Sequence, residues 1–143
     1  MIAESFSVEK GDYLRAGEAS TKMKNMLKKL GIGGSVLRRI SVAAYEVEMN
    51  LVIHSFGGTL SINVDGDYIW LISEDIGPGI PNIENAMREG YSTADEVAQG
   101  MGFGAGMGIP NMKRNADIFN IESELNKGTK ISMGFLLGGG NGE

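Results

Sequence analysis

The sequence predicts an α+β fold, a two-layer sandwich of one mixed, mostly antiparallel sheet with its helices on one face. Two turn signals and two long amphipathic helix patterns support this prediction. Asp65-Gly66-Asp67 and Asn126-Lys127-Gly128 each separate two β-rich segments, as tight turns between antiparallel strands do. Hairpins argue against a doubly wound parallel sheet, because parallel strands need a crossover connection between them.

The first third of the chain reads as one strand followed by two helices. Residues 3–9 partly alternate between apolar and polar side chains, which is typical of a strand. Asp12 to Leu30 has the apolar spacing of a helix, and Gly31 marks its end. A second helix is predicted from about Ser35, its expected N-cap, to His54. The two apolar stripes contain Leu14, Ala19, Met23, Met26, Leu27 and Leu30, then Val36, Ile40, Ala43, Ala44, Val47, Leu51 and Ile53.

The middle of the chain predicts a hairpin and a short helix. Residues 59–64 and 68–75 are the two strands, and the second is more uniformly apolar, which favours a central place in the sheet. A loop follows, and then a short helix is predicted over residues 82–90.

The last third begins with a glycine-rich segment. Residues 91–107 are expected to be a mobile loop, because their many glycines raise the entropic cost of order. A helix is predicted from Gly108 to about Ala116, followed by strands at 118–124 and 129–137. Residues 138–143 are expected to be a flexible tail, so a single domain is expected over residues 1–137.

Composition excludes several classes of function. The chain has 143 residues, 13 Lys plus Arg against 18 Asp plus Glu, and a net charge of −5, which disfavours direct nucleic-acid binding. The absence of cysteine excludes disulfides, iron–sulfur clusters, cysteine zinc sites and thiol nucleophiles, and one histidine cannot build a multi-histidine metal site. No apolar stretch approaches the roughly 18–20 residues that span a bilayer, so a cytoplasmic protein without a membrane partner is expected.

Glu46 and Asn50 are the first pair that could carry chemistry. They are four residues apart on the second predicted helix and therefore share a face. A carboxylate beside an amide oxygen can position a hydroxyl or water and ligate a hard cation such as Mg²⁺. On local grounds alone, two solvated polar residues on an amphipathic helix are the simpler interpretation.

A second candidate is the segment Glu74-Asp75-Ile76-Gly77-Pro78-Gly79-Ile80 after the predicted central strand. Asp75 could accept a hydrogen bond from an exocyclic amine, and Gly77 and Gly79 would let the backbone approach a flat ring. A plain strand-to-helix turn with a capping aspartate explains the same residues equally well.

The third and fourth candidates are glycine motifs. Gly100 to Gly108 alternates glycine and leads into a helix, whose free amides suit a phosphate; a disordered linker is the alternative. It matches neither the P-loop nor the dinucleotide-binding G-x-G-x-x-G pattern. Asn126 to Thr129 is, on local grounds, a tight turn with glycine at its permissive position.

Taken together, the order and spacing of these motifs resemble the GHKL ATPase superfamily from about residue 5 to residue 137. The shared pattern is Glu-x-x-x-Asn on a helix, Asp-x-Gly-x-Gly after a strand, a glycine-rich lid entering a helix, and Gly-Thr in a closing strand. No transducer domain and no phosphoacceptor histidine domain is expected. Residues 46–58 and 106–129 are especially similar to the stand-alone family of anti-sigma factors and switch serine/threonine kinases.

This resemblance implies a Bergerat ATP-binding fold and a role for each matching residue. Glu46 would be the general base, Asn50 would hold Mg²⁺, and Asp75 would recognise the adenine amino group. Thr129 would lie near the adenine edge. The remaining positions would shape the adenine pocket or cover the phosphates, and these are Gly77, Gly79, Ile80, Gly102, Gly104, Gly106, Met107 and Gly108.

The implied function is an ATP- and Mg²⁺-dependent serine/threonine protein kinase that regulates transcription. Its partners would be an antagonist protein of the STAS type and, in some family members, a sigma factor; a homodimer is also implied. A non-catalytic ATP or ADP sensor that holds or releases a partner is the alternative, favoured by the absence of Lys and Arg from Glu89 to Met112. An intact Glu46 favours the kinase, and a glycine-rich structural protein is the third possibility.

Overall fold

The computed structural model describes residues 2–80, 83, 87 and 108–137. In chain order its elements are β1 (Ile2–Val8), α1 (Glu18–Lys29), α2 (Gly34–His54), β2 (Gly58–Asp65), β3 (Tyr68–Asp75), α3 (Gly108–Asn115), β4 (Ile118–Glu124) and β5 (Gly128–Leu136). The strands form one sheet in the order β1-β2-β3-β5-β4. The predicted α+β class is confirmed.

Every strand pairing in the described part of the chain is antiparallel, so the expected mixed character of the sheet is not observed there. Two tight turns set this pattern. Gly66 has a φ of 59° between β2 and β3, and Asn126 has a φ of 64° between β4 and β5. Glycine and asparagine tolerate this left-handed region better than other residues, so both predicted hairpins close at the predicted places.

The core lies between the helices and one face of the sheet. Alternate residues of the three central strands are fully or almost fully buried, including Leu60, Ile62, Ile69, Leu71, Ile131, Met133 and Phe135. The predicted stripe of α2 packs on them through Val36, Ile40, Ala43, Ala44, Val47 and Leu51, while Ile53 is only half-buried. This two-layer packing holds α2 against the middle of the sheet.

The first helix is shorter than the sequence predicts. It begins at Glu18 rather than at Asp12, because Gly17 has a φ of 96° and turns occupy residues 10 to 17. Leu14, predicted to face the core, is 100% exposed, and Leu30 at the other end is also exposed. The helical spacing of Leu14 was therefore coincidental.

The start of α2 also differs from the prediction. The helix begins at Gly34, and the N-cap is Gly33, which makes no side-chain hydrogen bond to the helix. Ser35, the predicted N-cap, is already inside the helix.

Three predicted segments lie outside the described residues. They are the helix over 82–90, of which Ile83 and Met87 alone are described, the glycine-rich loop over 91–107, and the tail over 138–143. The Met87 N–H donates to the Ile83 carbonyl at 3.0 Å, one helix-type bond within the first of them. Among the described residues, no helix combines the length and the apolar character needed to cross a membrane.

Candidate functional site

Glu46 lies at the contact between α2 and the beginning of α3. Its Oε2 accepts a hydrogen bond from Asn111 Nδ2 at 2.9 Å. A methyl group placed on Gly108 would lie 3.7 Å from Glu46 Oε1, so the carboxylate lies beside the first residue of α3. The Glu46 carboxylate and Gly108, the last glycine of the glycine-rich motif, are therefore neighbours in the tertiary structure.

Asn111 is a site residue that the sequence analysis missed. Its Oδ1 accepts a bond from Arg114 Nη1 at 2.8 Å, which orients the amide so that Nδ2 points at Glu46. The available signal was the spacing of Asn111, three residues after Gly108 in the first two turns of a helix that follows a glycine run.

The other end of α3 is held by Arg39 of α2. Arg39 Nη1 donates to the Asn115 carbonyl at 3.1 Å and approaches Asp117 Oδ2 at 3.4 Å. A guanidinium at a helix C-terminus satisfies an unpaired carbonyl and complements the helix dipole. Both ends of α3 are thus bonded to α2, which fixes the position of Gly108 relative to Glu46.

Asp75 ends β3 and is half-buried on the side of the sheet that faces the helices. Its Oδ1 accepts the backbone N–H of Thr129 at 2.9 Å. Burial raises the pKa of Asp75 above its usual value, and the Thr129 hydrogen bond offsets part of that increase. A carboxylate in this setting needs a further donor to compensate its lost hydration, which is what an exocyclic amine would supply.

Beside Asp75 and Thr129, a pair of hydroxyl groups continues the polar contacts from β5 to β4. The Oγ atoms of Thr129 and Ser123 are 2.9 Å apart, and the two residues are direct neighbours on β5 and β4. Ser123 Oγ also accepts the Ile80 N–H at 2.7 Å. Sequence analysis missed Ser123, although it is the polar member of an inward-facing series, Phe119, Ile121 and Ser123.

The loop after β3 lies between two other loops. The Phe56 N–H donates to the Ile76 carbonyl at 2.7 Å on one side, and the Gly77 N–H donates to the Lys127 carbonyl at 3.0 Å on the other. These bonds join the three loops at one end of the sheet into a continuous backbone surface. The antiparallel pairing of β3 with β5, whose register extends to Glu74 and Lys130, brings Asp75 beside Thr129.

Glycine is required at two positions of this surface by the packing of the chain itself. Gly79 has a φ of 78°, and a methyl group there would lie 2.5 Å from the Glu124 carbonyl oxygen. Gly128 has a φ of 157°, and a methyl group there would overlap the Asp75 carbonyl. The sequence analysis expected Gly77 and Gly79 to allow the close approach of a flat ring, whereas the close contacts found at Gly79 and Gly128 are with the backbone of neighbouring segments.

Helix α2 joins the two halves of the site. Glu46 lies near its middle, Asn50 follows one turn later and is half-buried, and the helix ends at His54 beside Gly77. Glu46 and His54 are eight positions apart, so α2 rises about 12 Å between them at 1.5 Å per residue. Glu46 and the Gly77 end of the site therefore lie at different positions along α2.

Not every predicted position can be placed. Gly102, Gly104, Gly106 and Met107 lie outside the described residues, and Gly108 is the first one after that gap. Within the described ranges, no cluster of three or more His, Cys, Asp or Glu side chains could hold a metal.

Proteins with similar sequences include a serine/threonine kinase and anti-sigma factors. The chain is 34% identical over 112 residues to the serine/threonine-protein kinase RsbT of Bacillus subtilis, covering 76% of this chain and 78% of that protein. It is 33% identical over 102 residues to an anti-sigma F factor of Clostridium kluyveri, covering 68% of each chain. An anti-sigma F factor of Geobacillus stearothermophilus is 30% identical over 103 residues, with 68% of this chain and 67% of that protein covered. No protein-family model matches the chain.

Among solved structures, a mycobacterial sensor histidine kinase, MprB, has a similar fold. The TM-score is 0.55 at 16% sequence identity, and the match covers 94% of this chain and 97% of the other. At this identity the likeness concerns the fold alone, and it agrees with the two-layer α+β architecture.

Proposed function

The chain belongs to the family of anti-sigma factors and switch serine/threonine kinases within the GHKL superfamily, and we propose that it phosphorylates a small antagonist protein with ATP. The acceptor would be a serine or threonine of a STAS-type partner. Partners of this kind, together with a sigma factor in the anti-sigma members, would connect the reaction to transcription in the cytoplasm. The active unit would be the single domain over residues 1–137, alone or as a homodimer.

One observation carries the proposal, namely the hydrogen bond that holds Glu46 beside the beginning of α3. The group that donates to the Glu46 carboxylate is the side-chain amide of Asn111, which carries no charge. A carboxylate can accept a proton from a hydroxyl group within hydrogen-bonding reach. Glu46 is therefore well placed to act as a general base.

In the proposed step, Glu46 accepts the proton of the acceptor hydroxyl. The hydroxyl oxygen forms a bond to the γ-phosphorus, the bond from that phosphorus to the β–γ bridging oxygen breaks, and ADP leaves. The backbone amides of Gly108 and Ile109, at the beginning of α3, would bind the phosphates. Positioning and electrostatic stabilisation provide most of the acceleration in such reactions.

Mg²⁺ fits this site through Asn50, whose amide oxygen is a hard ligand on the same helical face as Glu46. Bound with the nucleotide, the ion would neutralise charge on the phosphates. Asn50 would orient the ion from one side.

The adenine end would be recognised by Asp75. Thr129 donates to one oxygen of Asp75, and the other oxygen would accept the bond from the adenine amino group. Ile80 and Thr129 would contact the ring, since the Ser123 hydroxyl holds the backbone of one and the side chain of the other. A base without an exocyclic amine at that position would bind more weakly.

The experiment that tests the proposal is a labelling assay. γ-labelled ATP and Mg²⁺ are added to a desalted extract of the source cells together with the purified wild-type chain, Glu46→Gln or Glu122→Gln. Glu122 is exposed on β4, so its variant is a matched control for the loss of one negative charge. We expect one small labelled protein with the wild type and Glu122→Gln, and a loss of about 10²–10⁴-fold in labelling rate with Glu46→Gln.

The same assay distinguishes the alternative of a non-catalytic nucleotide sensor. In that case no labelled protein depends on Glu46, while ATP and ADP still bind and change the affinity for a partner. The absence of Lys and Arg between Glu89 and Met112 is the feature that favours this alternative. Mass spectrometry of the labelled protein would identify the acceptor and its phosphorylated residue.

A further inference from the structure

Glu48 is a buried carboxylate on α2 for which neither the sequence motifs nor the proposed reaction provides a role. Glu48 is only 3% exposed to solvent. Oε2 accepts the backbone N–H groups of Gly17 at 3.1 Å and Ala19 at 3.2 Å, and Oε1 accepts the N–H of Ser20 at 2.9 Å. All three donors belong to the beginning of α1.

These bonds replace the N-cap that α1 lacks. Gly17 is the N-cap residue of α1 and has no side chain with which to bond the free amides of the first turn. A carboxylate at this end satisfies the free N–H groups and complements the positive end of the helix dipole. The cap comes from a different helix, so it also fixes α2 relative to α1.

Glu48 lies on the opposite side of α2 from Glu46 and Asn50. At about 100° per residue, Glu46 and Asn50 lie within about 40° of each other, and Glu48 lies about 200° from either. The helix is therefore bonded on one side to α1 through Glu48 and on the other to α3 through Glu46. A rotation of α2 about its axis would break the bonds at both sides together.

We propose that Glu48 is a positioning residue that sets the rotation of α2 and thereby aims Glu46 and Asn50 at the phosphates. The inference rests on the proposed function, in which Glu46 and Asn50 act on the γ-phosphoryl group. Glu48 lies on the far side of the helix from the substrate and acts only through the orientation of the other two residues.

The test compares Glu48→Gln with Ser20→Ala. Glutamine keeps the size of the side chain but turns one acceptor oxygen into an NH₂ group that faces backbone N–H donors. Ser20→Ala removes a bond within the same turn, from Ser20 Oγ to the Gly17 carbonyl at 3.1 Å, and leaves the link to α2 intact. It is therefore the control for a merely weakened α1.

The readouts are the initial labelling rate at saturating ATP and the dissociation constant of ADP without Mg²⁺, both expressed per folded protein from circular dichroism. For Glu48→Gln we expect the rate to fall about 10-fold to 100-fold, because small misplacement of reacting groups is costly. ADP affinity, which depends on the Asp75 end, should change less than about twofold. Equal rates per folded molecule for Glu48→Gln, Ser20→Ala and the wild type would overturn the inference.

A measurement on the wild type covers the case in which Glu48→Gln does not fold. Hydrogen exchange of the Gly17, Ala19 and Ser20 amides is compared with and without Mg²⁺ and ADP. If α2 connects the two sides, nucleotide binding should slow exchange at these amides by about fivefold or more, with smaller changes at Lys28 and Lys29. Equal slowing at both ends of α1 would overturn the inference.

The outcomes separate this inference from the proposed function. If Glu46→Gln retains full labelling, the proposed function fails and Glu48 has nothing to position. If labelling depends on Glu46 but not on Glu48, the proposed function stands and the positioning role alone is wrong.

Discussion

The amide of Asn111 donates a hydrogen bond to the carboxylate of Glu46 at 2.9 Å, across 65 positions of sequence. This bond joins the middle of α2 to the first half of α3, so the residue proposed as general base and the amides proposed for the phosphates share one rigid contact. Its donor is a neutral amide.

At position 111, introducing a negative charge should lower the labelling rate more than removing the side chain. Asn111→Ala removes the bond to Glu46, and we expect the labelling rate to fall about 10-fold because the carboxylate loses its orientation. Asn111→Asp has nearly the native shape but places two carboxylates in contact, so repulsion displaces Glu46 and the rate should fall further. Initial labelling rates check this order.

The control for this pair is Asn120→Asp, which adds the same charge at an exposed position of β4. It should label at the wild-type rate. A faster reaction with Asn111→Asp than with Asn111→Ala would show that the shape of the side chain matters and that its neutrality does not.

The buried charge of Asp75 is expected to lower the stability of the fold, while the carboxylate strengthens nucleotide binding. Since burial raises its pKa, the folded state holds this proton more tightly than the unfolded state. Stability from this group is therefore present at low pH and is lost as pH rises through the raised pKa. Asp75→Asn removes the cost of burying the charge and can still accept the Thr129 N–H, so it should gain stability relative to wild type as pH increases.

Urea unfolding of both proteins between pH 4 and pH 7 measures that difference, and calorimetric titration with ADP at pH 7 measures affinity. We expect Asp75→Asn to bind ADP much more weakly while it is at least as stable as the wild type at pH 7. If Asp75→Asn is less stable than the wild type at pH 7 but not at pH 4, the direction of the pKa shift of Asp75 is contradicted.

Gly79 should tolerate alanine less well than another glycine with the same backbone strain. Gly66 has a φ of 59° and open space around it, whereas a methyl group at Gly79 meets the Glu124 carbonyl oxygen. Gly66→Ala should cost about 1–2 kcal/mol from the left-handed conformation alone. Gly79→Ala should cost at least about 1 kcal/mol more, since the loop must move to relieve the contact.

Chemical denaturation of the two glycine variants gives this difference directly. Gly79→Ala should also weaken ADP binding, because the loop it displaces carries Ile80 and follows Asp75. Equal stability of the two variants would mean that the loop yields without cost, and that the packing of Gly79 on the β4–β5 turn is not tight in solution.

Removing the Ser123 hydroxyl should lower both the stability of the fold and the affinity for ADP. Ser123→Ala leaves the Ile80 N–H and the Thr129 hydroxyl without the partner they now share, which should cost about 1–3 kcal/mol of unfolding free energy. The same change frees the loop beside the proposed adenine pocket, so ADP affinity should fall. Thermal unfolding and ADP titration of the variant are the measurements.

A suitable comparison for Ser123→Ala is Ser61→Ala. Ser61 Oγ bonds to the Ile72 carbonyl at 3.3 Å on the same sheet but away from the loops. Its loss should affect stability modestly and affinity not at all. If both serine variants bind ADP as the wild type does, the Ser123 hydroxyl has no role in shaping the pocket.

Local patterns were sufficient for the secondary structure wherever a short-range rule decided the outcome. The hairpins close at Gly66 and Asn126 because few residues accept a positive φ, and the apolar stripe of α2 predicts its buried face because helical periodicity is a local property. Leu14 shows the limit of such rules. Its spacing fits a helix, yet Gly17 breaks the helix, and the side chain is fully exposed.

By itself, then, the sequence determined the α+β class, the two hairpins, the core face of α2, and the set of residues that resembles a kinase family. Only the tertiary structure decided which side chains hold those residues in place: Asn111 on Glu46, Ser123 between Ile80 and Thr129, and Glu48 on the amides of α1. The reason is physical. Propensity and periodicity act over a few neighbouring residues, whereas a hydrogen bond between two elements depends on how the whole chain packs.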